Sequence, residues 1–177
     1  NIIHLFKNLG KQLGKGLDEL TLTTNGSQLF NYANDLYESG VRRINVSLDS
    51  LDKKKFKQIT RIGDFDKVIK GIMTAKKAGL KIKINAVALK GINDDEILDL
   101  VNWCGENKFS LTFIEVMPMG EIGIKRADQY MPLTEVKKLI QTKYSITDDP
   151  LRTGGPARYV HCHETDQKIG FITPHTH

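Results

Sequence analysis

Polar side chains recur at alternate positions along four strand-like segments of this sequence, and they gather toward the carboxyl end of each segment. In residues 42–49, an amide, a hydroxyl and a carboxylate alternate with three aliphatic side chains. Such groups can bind a polar ligand through hydrogen bonds and charge. The candidate positions near the strand ends are Thr23, Asn25, Ser47, Asp49, Asn85, Glu115 and Met117.

Strands that alternate with amphipathic helices must position these side chains. Helices are predicted over residues 2–14, 28–39, 64–79, 93–104 and 133–143, with a short basic helix or turn over 52–61. Strands are predicted over residues 19–26, 42–49, 80–89, 110–117, 158–162 and 168–173. The alternation up to Tyr144 predicts parallel βαβ units with right-handed crossovers. The last two strands are predicted to form a small antiparallel appendage.

Two helix starts carry local sequence signals. Asp64 is predicted to be the N-cap of the helix that follows it. The run Asn93-Asp-Asp-Glu96 has the spacing of a capping box, so we interpret it as a helix start rather than a metal site.

The parity of the strands predicts a site. Even-numbered strand positions are mostly apolar and suit a face covered by helices, whereas the odd-numbered positions are mostly polar and must point together. Parallel sheets rarely leave a face bare, and a closed barrel would have an apolar interior. The pattern favours a wide or incomplete barrel with a polar lumen. An open sheet with its polar face in water is the alternative.

Composition narrows the function classes. With 40% hydrophobic and 27% charged residues, the 177-residue chain is typical of a globular protein, and no apolar run approaches a membrane span of roughly 20 residues. The net charge of +5 suits an anionic ligand, although Lys-rich helix surfaces account for most of it. Cys104 and Cys162 form no disulfide framework, which favours a reducing, cytoplasmic setting.

The ends of the chain and its paired histidines indicate how much of a protein the sequence covers and whether it binds a metal. The sequence begins at Asn1 inside a helical pattern and ends at His177 directly after a strand-like run, so we expect a fragment of a longer protein. The pairs His161/His163 and His175/His177 could suggest zinc. Because the four-ligand spacing of a structural zinc site is missing, we predict no metal ligand in this chain.

Several short segments, taken together, carry a family resemblance over the chain from Leu20 to His177. They are Leu22-Thr-Thr-Asn-Gly26, Arg43-Ile-Asn-Val-Ser-Leu-Asp-Ser-Leu-Asp52, Ile59-Thr-Arg-Ile-Gly-Asp-Phe65, Lys83-Ile-Asn-Ala-Val87, Lys90-Gly-Ile-Asn-Asp-Asp-Glu96, Phe113-Ile-Glu-Val-Met-Pro-Met-Gly120, Gly155-Pro-Ala-Arg-Tyr159 and Gly170-Phe-Ile-Thr-Pro174. In order and spacing, the set resembles the molybdenum cofactor biosynthesis protein A family, the radical S-adenosylmethionine (SAM) GTP cyclases.

The resemblance implies a fold and a reaction. The fold is α/β, a partial TIM-like (βα) barrel of the radical SAM type with a small antiparallel C-terminal extension. In the full-length enzyme, one [4Fe-4S] cluster on a CxxxCxxC loop cleaves SAM to a 5′-deoxyadenosyl radical. This radical abstracts a hydrogen from the ribose of GTP, and (8S)-3′,8-cyclo-7,8-dihydroguanosine 5′-triphosphate forms. A second [4Fe-4S] cluster holds the guanine end of GTP.

The resemblance also implies how the chain is divided and with what it acts. Residues 1–122 correspond to the barrel core, and residues 123–177 to its last helix and the start of the C-terminal molybdenum cofactor synthesis domain. Two cysteines cannot supply two clusters, so the chain alone is expected to be inactive and to hold no catalytic residue. The implied enzyme is a cytoplasmic homodimer upstream of pyranopterin synthase, without a nucleic-acid or membrane partner.

Four residues match positions to which the family assigns contacts. Ser47 and Met117 correspond to SAM contacts, and Thr23 and Lys83 to GTP contacts. The chemistry is compatible, since Ser47 can hydrogen-bond a polar part of SAM and Met117 can pack on adenine. Lys83 can place its ammonium beside a phosphate, and Thr23 can hydrogen-bond the nucleotide.

Two alternatives remain open at the level of sequence. Lys83, on a strand flanked by isoleucines, could instead be the Schiff-base nucleophile of an aldolase-like barrel. The net charge of +5 could instead serve a non-catalytic nucleotide- or RNA-binding module, although the basic residues are scattered and aromatics make up only 7%.

Overall fold

The computed structural model describes residues 2–116, 128–150 and 155–173. The strands are β1 (Thr21–Thr24), β2 (Arg43–Ser47), β3 (Lys81–Ala88), β4 (Ser110–Glu115), β5 (Ile146–Asp149), β6 (Arg158–Cys162) and β7 (Gln167–Ile172). The helices are α1 (Ile2–Gly10), α2 (Leu29–Glu38), α3 (Lys53–Thr60), α4 (Phe65–Lys77), α5 (Ile97–Asn107), preceded by a 3-10 turn over Asp94–Glu96, and α6 (Leu133–Gln141). The strands form one mixed sheet in the order β1-β2-β3-β4-β7-β6-β5.

The chain divides into two compact units. The first comprises Asn1–Ser47 and Thr60–Lys83, and the second comprises Leu48–Ile59 and Ile84–His177. The first unit therefore holds β1, β2 and the start of β3 with α1, α2 and α4. The second unit holds the rest of β3, the strands β4 to β7, and α3, α5 and α6.

The core of the first unit lies on the even-numbered strand positions, as the parity predicts. β1 and β2 are parallel, with Leu22 opposite Ile44. Ile44 and Val46 have no exposed surface, and Ile82 on β3 is 4% exposed. Helices α2 and α4 complete this core with their apolar faces. The buried residues on these two helices are Leu29, Ala33, Leu36, Val68, Gly71, Ile72 and Ala75.

The turn after β1 packs tightly against α4. Gly26 has a φ of 77°, which an L side chain rarely adopts, and a Cβ there would lie 3.0 Å from Val68 Cγ1 and 3.1 Å from Val46 Cγ1. On the facing helix, a Cβ on Gly71 would lie 2.7 Å from the Gly26 carbonyl oxygen. Glycine at both positions therefore lets the end of β1 approach α4.

The strands of the second unit pair in both parallel and antiparallel orientation. β4 pairs in parallel with β7, while β6 is antiparallel to both β5 and β7. The predicted antiparallel appendage is thus an extension of the sheet itself, joined to it through β7. Strand β5 was not predicted, because its sequence Ile-Thr-Asp-Asp has three polar residues among its four.

The parity prediction is wrong in the middle of β4. Phe113, an odd-numbered position expected on the polar face, has no exposed surface, and its ring lies 6.3 Å from that of Phe171 on β7. Thr112 beside it is equally buried. Both faces of β4 are therefore covered at this point. Buried and exposed residues do not alternate here, so the sequence pattern could not identify the polar face.

The two helix starts have different outcomes. Asp64 is the N-cap of α4, where its carboxylate accepts a hydrogen bond of 3.1 Å from the Lys67 N–H. Asn93 lies at the start of the 3-10 turn, but its side chain caps no helical N–H. The run does start a helical segment, as predicted, but its capping box is wrong, because the Asn93 amide donates instead to the carbonyl oxygens of Asp49 and Val87.

Two predicted helices are also refined. The helix predicted over residues 2–14 ends at Gly10, and the short basic segment after β2 forms the helix α3. In the part of the chain that the structure describes, every helix is too short or too polar to cross a bilayer.

The Gly71→Ala substitution tests the contact between α4 and the turn after β1. Helix propensity alone would favour alanine by roughly 1 kcal/mol. Here the added Cβ would meet backbone at 2.7 Å, so we expect the protein to lose about 1–3 kcal/mol of unfolding free energy in urea titrations. Gly155→Ala is the matched control, because a Cβ there meets nothing within 4 Å. Unchanged or increased stability of Gly71→Ala would show that this contact is not tight.

Candidate functional site

Three of the four predicted ligand-binding residues lie on the odd-numbered face of the first unit. Thr23 on β1 and Ser47 at the end of β2 are exposed, and Lys83 on β3 is half-buried. Their strands are neighbours in the sheet, and the Lys81 N–H donates a 2.9 Å hydrogen bond to the Arg42 carbonyl between β2 and β3. The structure thus brings these three side chains to one face. Met117 lies outside the described residues.

A chain of polar contacts organises this face around Thr23. The Glu19 carboxylate accepts two hydrogen bonds from Arg43, at 2.8 and 3.0 Å. Arg43 donates to Asn45 Oδ1 at 3.4 Å, and Asn45 Nδ2 donates to Thr23 Oγ1 at 3.2 Å. The hydrogen bond from Arg43 holds the pKa of Glu19 below its ordinary value, so the carboxylate stays charged. The Thr23 hydroxyl is oriented by accepting from Asn45 and can still donate its own hydrogen.

This arrangement is suited to binding rather than to covalent chemistry. Its groups are hydroxyls at Thr23 and Ser47, the amide of Asn45 and the ammonium of Lys83. Together they can hydrogen-bond the neutral polar parts of a ligand and attract an anionic part.

The second unit carries a further polar cluster, formed by the residues that follow β2 and by the end of β3. Asp49 Oδ1 accepts a 2.8 Å hydrogen bond from the Val87 N–H. Burial raises the pKa of the Asp49 carboxyl above its ordinary value, and the Val87 hydrogen bond only partly opposes this. The Asn93 amide, wholly buried, donates to the carbonyl oxygens of Asp49 and Val87 at 2.6 and 2.9 Å.

Sequence reasoning missed the role of Asn93. Its spacing from Glu96 matched a local helix signal, whereas its partners lie on two strand ends. A usable signal was its position four residues after the strand predicted over 80–89, close to the strand end where polar residues cluster.

Glu115 accepts two hydrogen bonds in the second unit, and both have a structural role. Its carboxylate accepts from the Tyr130 hydroxyl at 3.0 Å and from the Leu133 N–H at 2.9 Å. The hydrogen bond to Glu115 raises the pKa of Tyr130. Glu115 therefore ties the start of α6 to the end of β4.

The cysteines and histidines form no metal site among the residues that the structure describes. No three His, Cys, Asp or Glu side chains there are grouped as ligands. Cys104 and Cys162 are both fully buried, and burial raises the pKa of the Cys104 thiol strongly. The His161 and His163 rings lie 4.9 Å apart edge to face. His175 and His177 lie outside the described residues.

Comparison with family models divides the chain in two. Residues 1–104 match the model described as the Radical SAM superfamily, and residues 109–177 match the model described as Molybdenum Cofactor Synthesis C.

Curated relatives match the chain throughout. The GTP 3′,8-cyclase of Rhizobium etli (strain CIAT 652) is 59% identical over 177 residues, which is 100% of this chain and 51% of the relative. The GTP 3′,8-cyclase of Paracoccus denitrificans (strain Pd 1222) is 55% identical over 178 residues, 100% of this chain and 52% of the relative. The chain thus spans about half the length of the curated relatives it matches. These matches confirm the resemblance inferred from the sequence motifs.

A solved structure supports the fold. Streptococcus suis SuiB bound to S-adenosylmethionine superposes with a TM-score of 0.60 and 20% sequence identity, covering 97% of this chain and 36% of that one. At this identity the likeness concerns the fold alone. With the match of residues 1–104, it confirms the predicted α/β partial barrel.

The buried carboxyl of Asp49 predicts a pH-dependent stability difference. Because its folded pKa is raised, the stability it contributes is fully present below the unfolded pKa of about 3.9 and is lost as pH rises through the folded value. The substitution Asp49→Asn would keep an acceptor for the Val87 N–H without a titrating group. We therefore expect the stability of Asp49→Asn, relative to wild type, to increase from pH 3 to pH 7 in urea titrations.

Asp64→Asn is the control of opposite sign. The hydrogen bond from the Lys67 N–H lowers the pKa of Asp64, so its contribution is present above the unfolded pKa and is lost as pH falls. The same slope for both variants would contradict the assignment of Asp49 as a desolvated carboxyl.

Proposed function

The chain belongs to the radical SAM superfamily, and from this premise we propose that it forms the central part of a GTP 3′,8-cyclase of molybdenum cofactor biosynthesis. The observation that carries the proposal is the 59% identity over all 177 residues to a relative of that name. The proposed reaction of the whole protein converts GTP to (8S)-3′,8-cyclo-7,8-dihydroguanosine 5′-triphosphate by means of a 5′-deoxyadenosyl radical derived from SAM.

The odd-numbered face supports the proposed ligand-binding residues. We propose that Ser47 and Met117 contact SAM and that Thr23 and Lys83 contact GTP. Support comes from the shared face of Thr23, Ser47 and Lys83 and from the oriented Thr23 hydroxyl. The ammonium of Lys83 would attract an anionic part of the nucleotide, and because the residue is half-buried, salt would screen this attraction less than at an exposed lysine.

The iron–sulfur clusters of the proposed enzyme do not fit the thiols of this chain. The sequence has two cysteines, and the Cys104 thiol is buried with a raised pKa, whereas each cluster needs several thiolates. The role proposed for residues 1–177 is therefore to bind and orient SAM and GTP. When bound in the whole protein, one cluster would supply the electron for cleavage of SAM and the other would hold the guanine end of GTP.

The proposal also covers the domain limits, the cellular compartment, the oligomeric state and the pathway. We propose a barrel core over residues 1–122, and the last helix with the start of the C-terminal domain over residues 123–177. The two family matches support a division of the chain in two, although they meet between residues 104 and 109, before the limit proposed at residue 122. We further propose a cytoplasmic homodimer whose product feeds pyranopterin synthesis.

The competing functions are less well supported. An aldolase would use Lys83 as a nucleophile, and an RNA-binding module would use the net charge, yet the curated relatives quoted above share a cyclase name.

An anaerobic assay of the whole protein tests the proposed function. After iron–sulfur reconstitution, incubation with SAM, GTP and a reductant should form 5′-deoxyadenosine and a cyclised nucleotide, both measured by mass spectrometry. Omission of GTP should abolish the cyclised product. Borohydride trapping of a carbonyl substrate on Lys83, or 5′-deoxyadenosine formation unaffected by every nucleotide offered, would instead reject a GTP cyclase.

Substitutions on the odd-numbered face should separate the two ligands. Ser47→Ala in the whole protein should weaken SAM binding by roughly 3- to 10-fold and leave GTP binding unchanged, because one hydrogen bond contributes about 1 kcal/mol. Ser110→Ala is the control, since Ser110 is an exposed serine at the amino end of β4. Equilibrium dialysis with labelled ligands measures both affinities, and equal weakening by the two variants would contradict the Ser47 assignment.

Lys83→Met should have the opposite selectivity. Loss of the ammonium should weaken GTP binding by roughly 10- to 100-fold, as expected for a hydrogen bond to a charged group, with little effect on SAM. Lys81→Met is the matched control, because Lys81 is exposed on the same strand and the same parity. GTP affinity that is insensitive to Lys83→Met would remove Lys83 from the proposed site.

A further inference from the structure

We propose that Asn93 and Glu96 are positioning residues for SAM, which hold the backbone of residues 48–52 after β2 in a fixed shape. The inference rests on the proposed function, in which Ser47, directly before this loop, contacts SAM. Neither Asn93 nor Glu96 is assigned a contact with a ligand. Both act through the loop.

Asn93 joins the ends of two strands. Its Nδ2 donates to the carbonyl oxygen of Asp49 at 2.6 Å and to that of Val87 at 2.9 Å, while its Oδ1 accepts from the Leu89 N–H at 2.8 Å. The side chain has no exposed surface. Its two donors and its acceptor thus serve backbone groups of the loop after β2 and of the end of β3.

Glu96 holds the next part of the loop. One carboxylate oxygen accepts from the Leu51 and Asp52 N–H groups, each at 3.0 Å, and the other accepts from the Ser50 hydroxyl at 2.7 Å. Glu96 is 7% exposed and Ser50 is wholly buried. The Lys55 ammonium lies 3.6 Å from the carboxylate and supplies the opposite charge.

A buried carboxylate of this kind is costly for stability, because removing a charge from water is repaid only when its hydrogen bonds are satisfied. Here the bonds are made to an irregular loop rather than to a helix or a strand. The loop follows the carboxyl end of β2, and this edge of a parallel α/β sheet is where ligands bind. A displacement of about 1 Å at such a position is enough to impair a site, so a rigid loop has a functional value.

The test uses the whole protein, reconstituted anaerobically, with KM measured separately for SAM and for GTP. Asn93→Asp would place a carboxylate against two carbonyl oxygens, and Glu96→Ala would release the Ser50, Leu51 and Asp52 donors. We expect each to raise the KM for SAM by roughly 5- to 50-fold, the effect of losing several hydrogen bonds, with less than about a twofold change for GTP.

Two milder variants keep the test decisive if Glu96→Ala does not fold. Glu96→Gln retains an oxygen for the Leu51 and Asp52 N–H groups, so it should restore most of the affinity for SAM. Ser50→Ala removes the 2.7 Å bond to Glu96 and the weaker bonds of 3.0 and 3.2 Å between the Ser50 hydroxyl and the Asp52 backbone, but it keeps both N–H bonds to Glu96. It should therefore raise the KM for SAM by roughly 2- to 5-fold.

Gln167→Ala is the matched control for stability alone. Gln167 is 5% exposed in the same unit and donates a 2.8 Å hydrogen bond to the Val101 carbonyl. Its loss should lower the melting temperature without a selective change in the KM for SAM. If the Asn93 and Glu96 variants behave like this control, or raise both KM values equally, the positioning role is overturned. Failure of the wild-type protein to cleave SAM would instead overturn the proposed function.

Discussion

The two-residue period of β1 to β3, with one face sealed by helices, is the constraint on which the site depends. Ile44 and Val46 have no exposed surface, so a slip of one residue would move them to the open face. The same slip would bury Asn45 and Ser47 without partners, which costs on the order of 1–3 kcal/mol for each polar group. Burial on one face therefore fixes the register that presents Thr23, Ser47 and Lys83 on the other.

Where the strands end, this constraint is replaced by side-chain hydrogen bonds. Backbone groups that leave the ladder still need partners when they are buried, and in the second unit Asp49, Asn93 and Glu96 provide them. The polar residues buried there are thus part of how the loop after β2 is held. The raised pKa of Asp49 is one cost of this arrangement, because its carboxylate is partly desolvated.

Sequence alone could predict whatever depends on local periodicity. The alternation in β2 and β3 and the N-cap at Asp64 are properties of neighbouring residues, and the structure agrees with them. Phe113 could not be assigned, because its burial depends on a ring from β7 that is distant in sequence. The same limit applies to Asn93, whose amide bonds to a carbonyl 44 residues earlier while its spacing resembles a helix cap. Predictions from sequence thus succeed for strands that have one buried and one open face, and they fail for contacts that join separate elements.

The groups on the odd-numbered face suit ligand binding rather than electron transfer. The odd-numbered face offers hydroxyl, amide and ammonium groups, which bind and orient but do not accept electrons. Cys104 cannot substitute for a cluster ligand in this fold, since it is wholly buried and its raised pKa keeps the thiol protonated at neutral pH. The affinity of this face for a polar ligand therefore depends on register, charge and loop geometry. Those three properties can be altered one at a time by substitution, without touching a thiol.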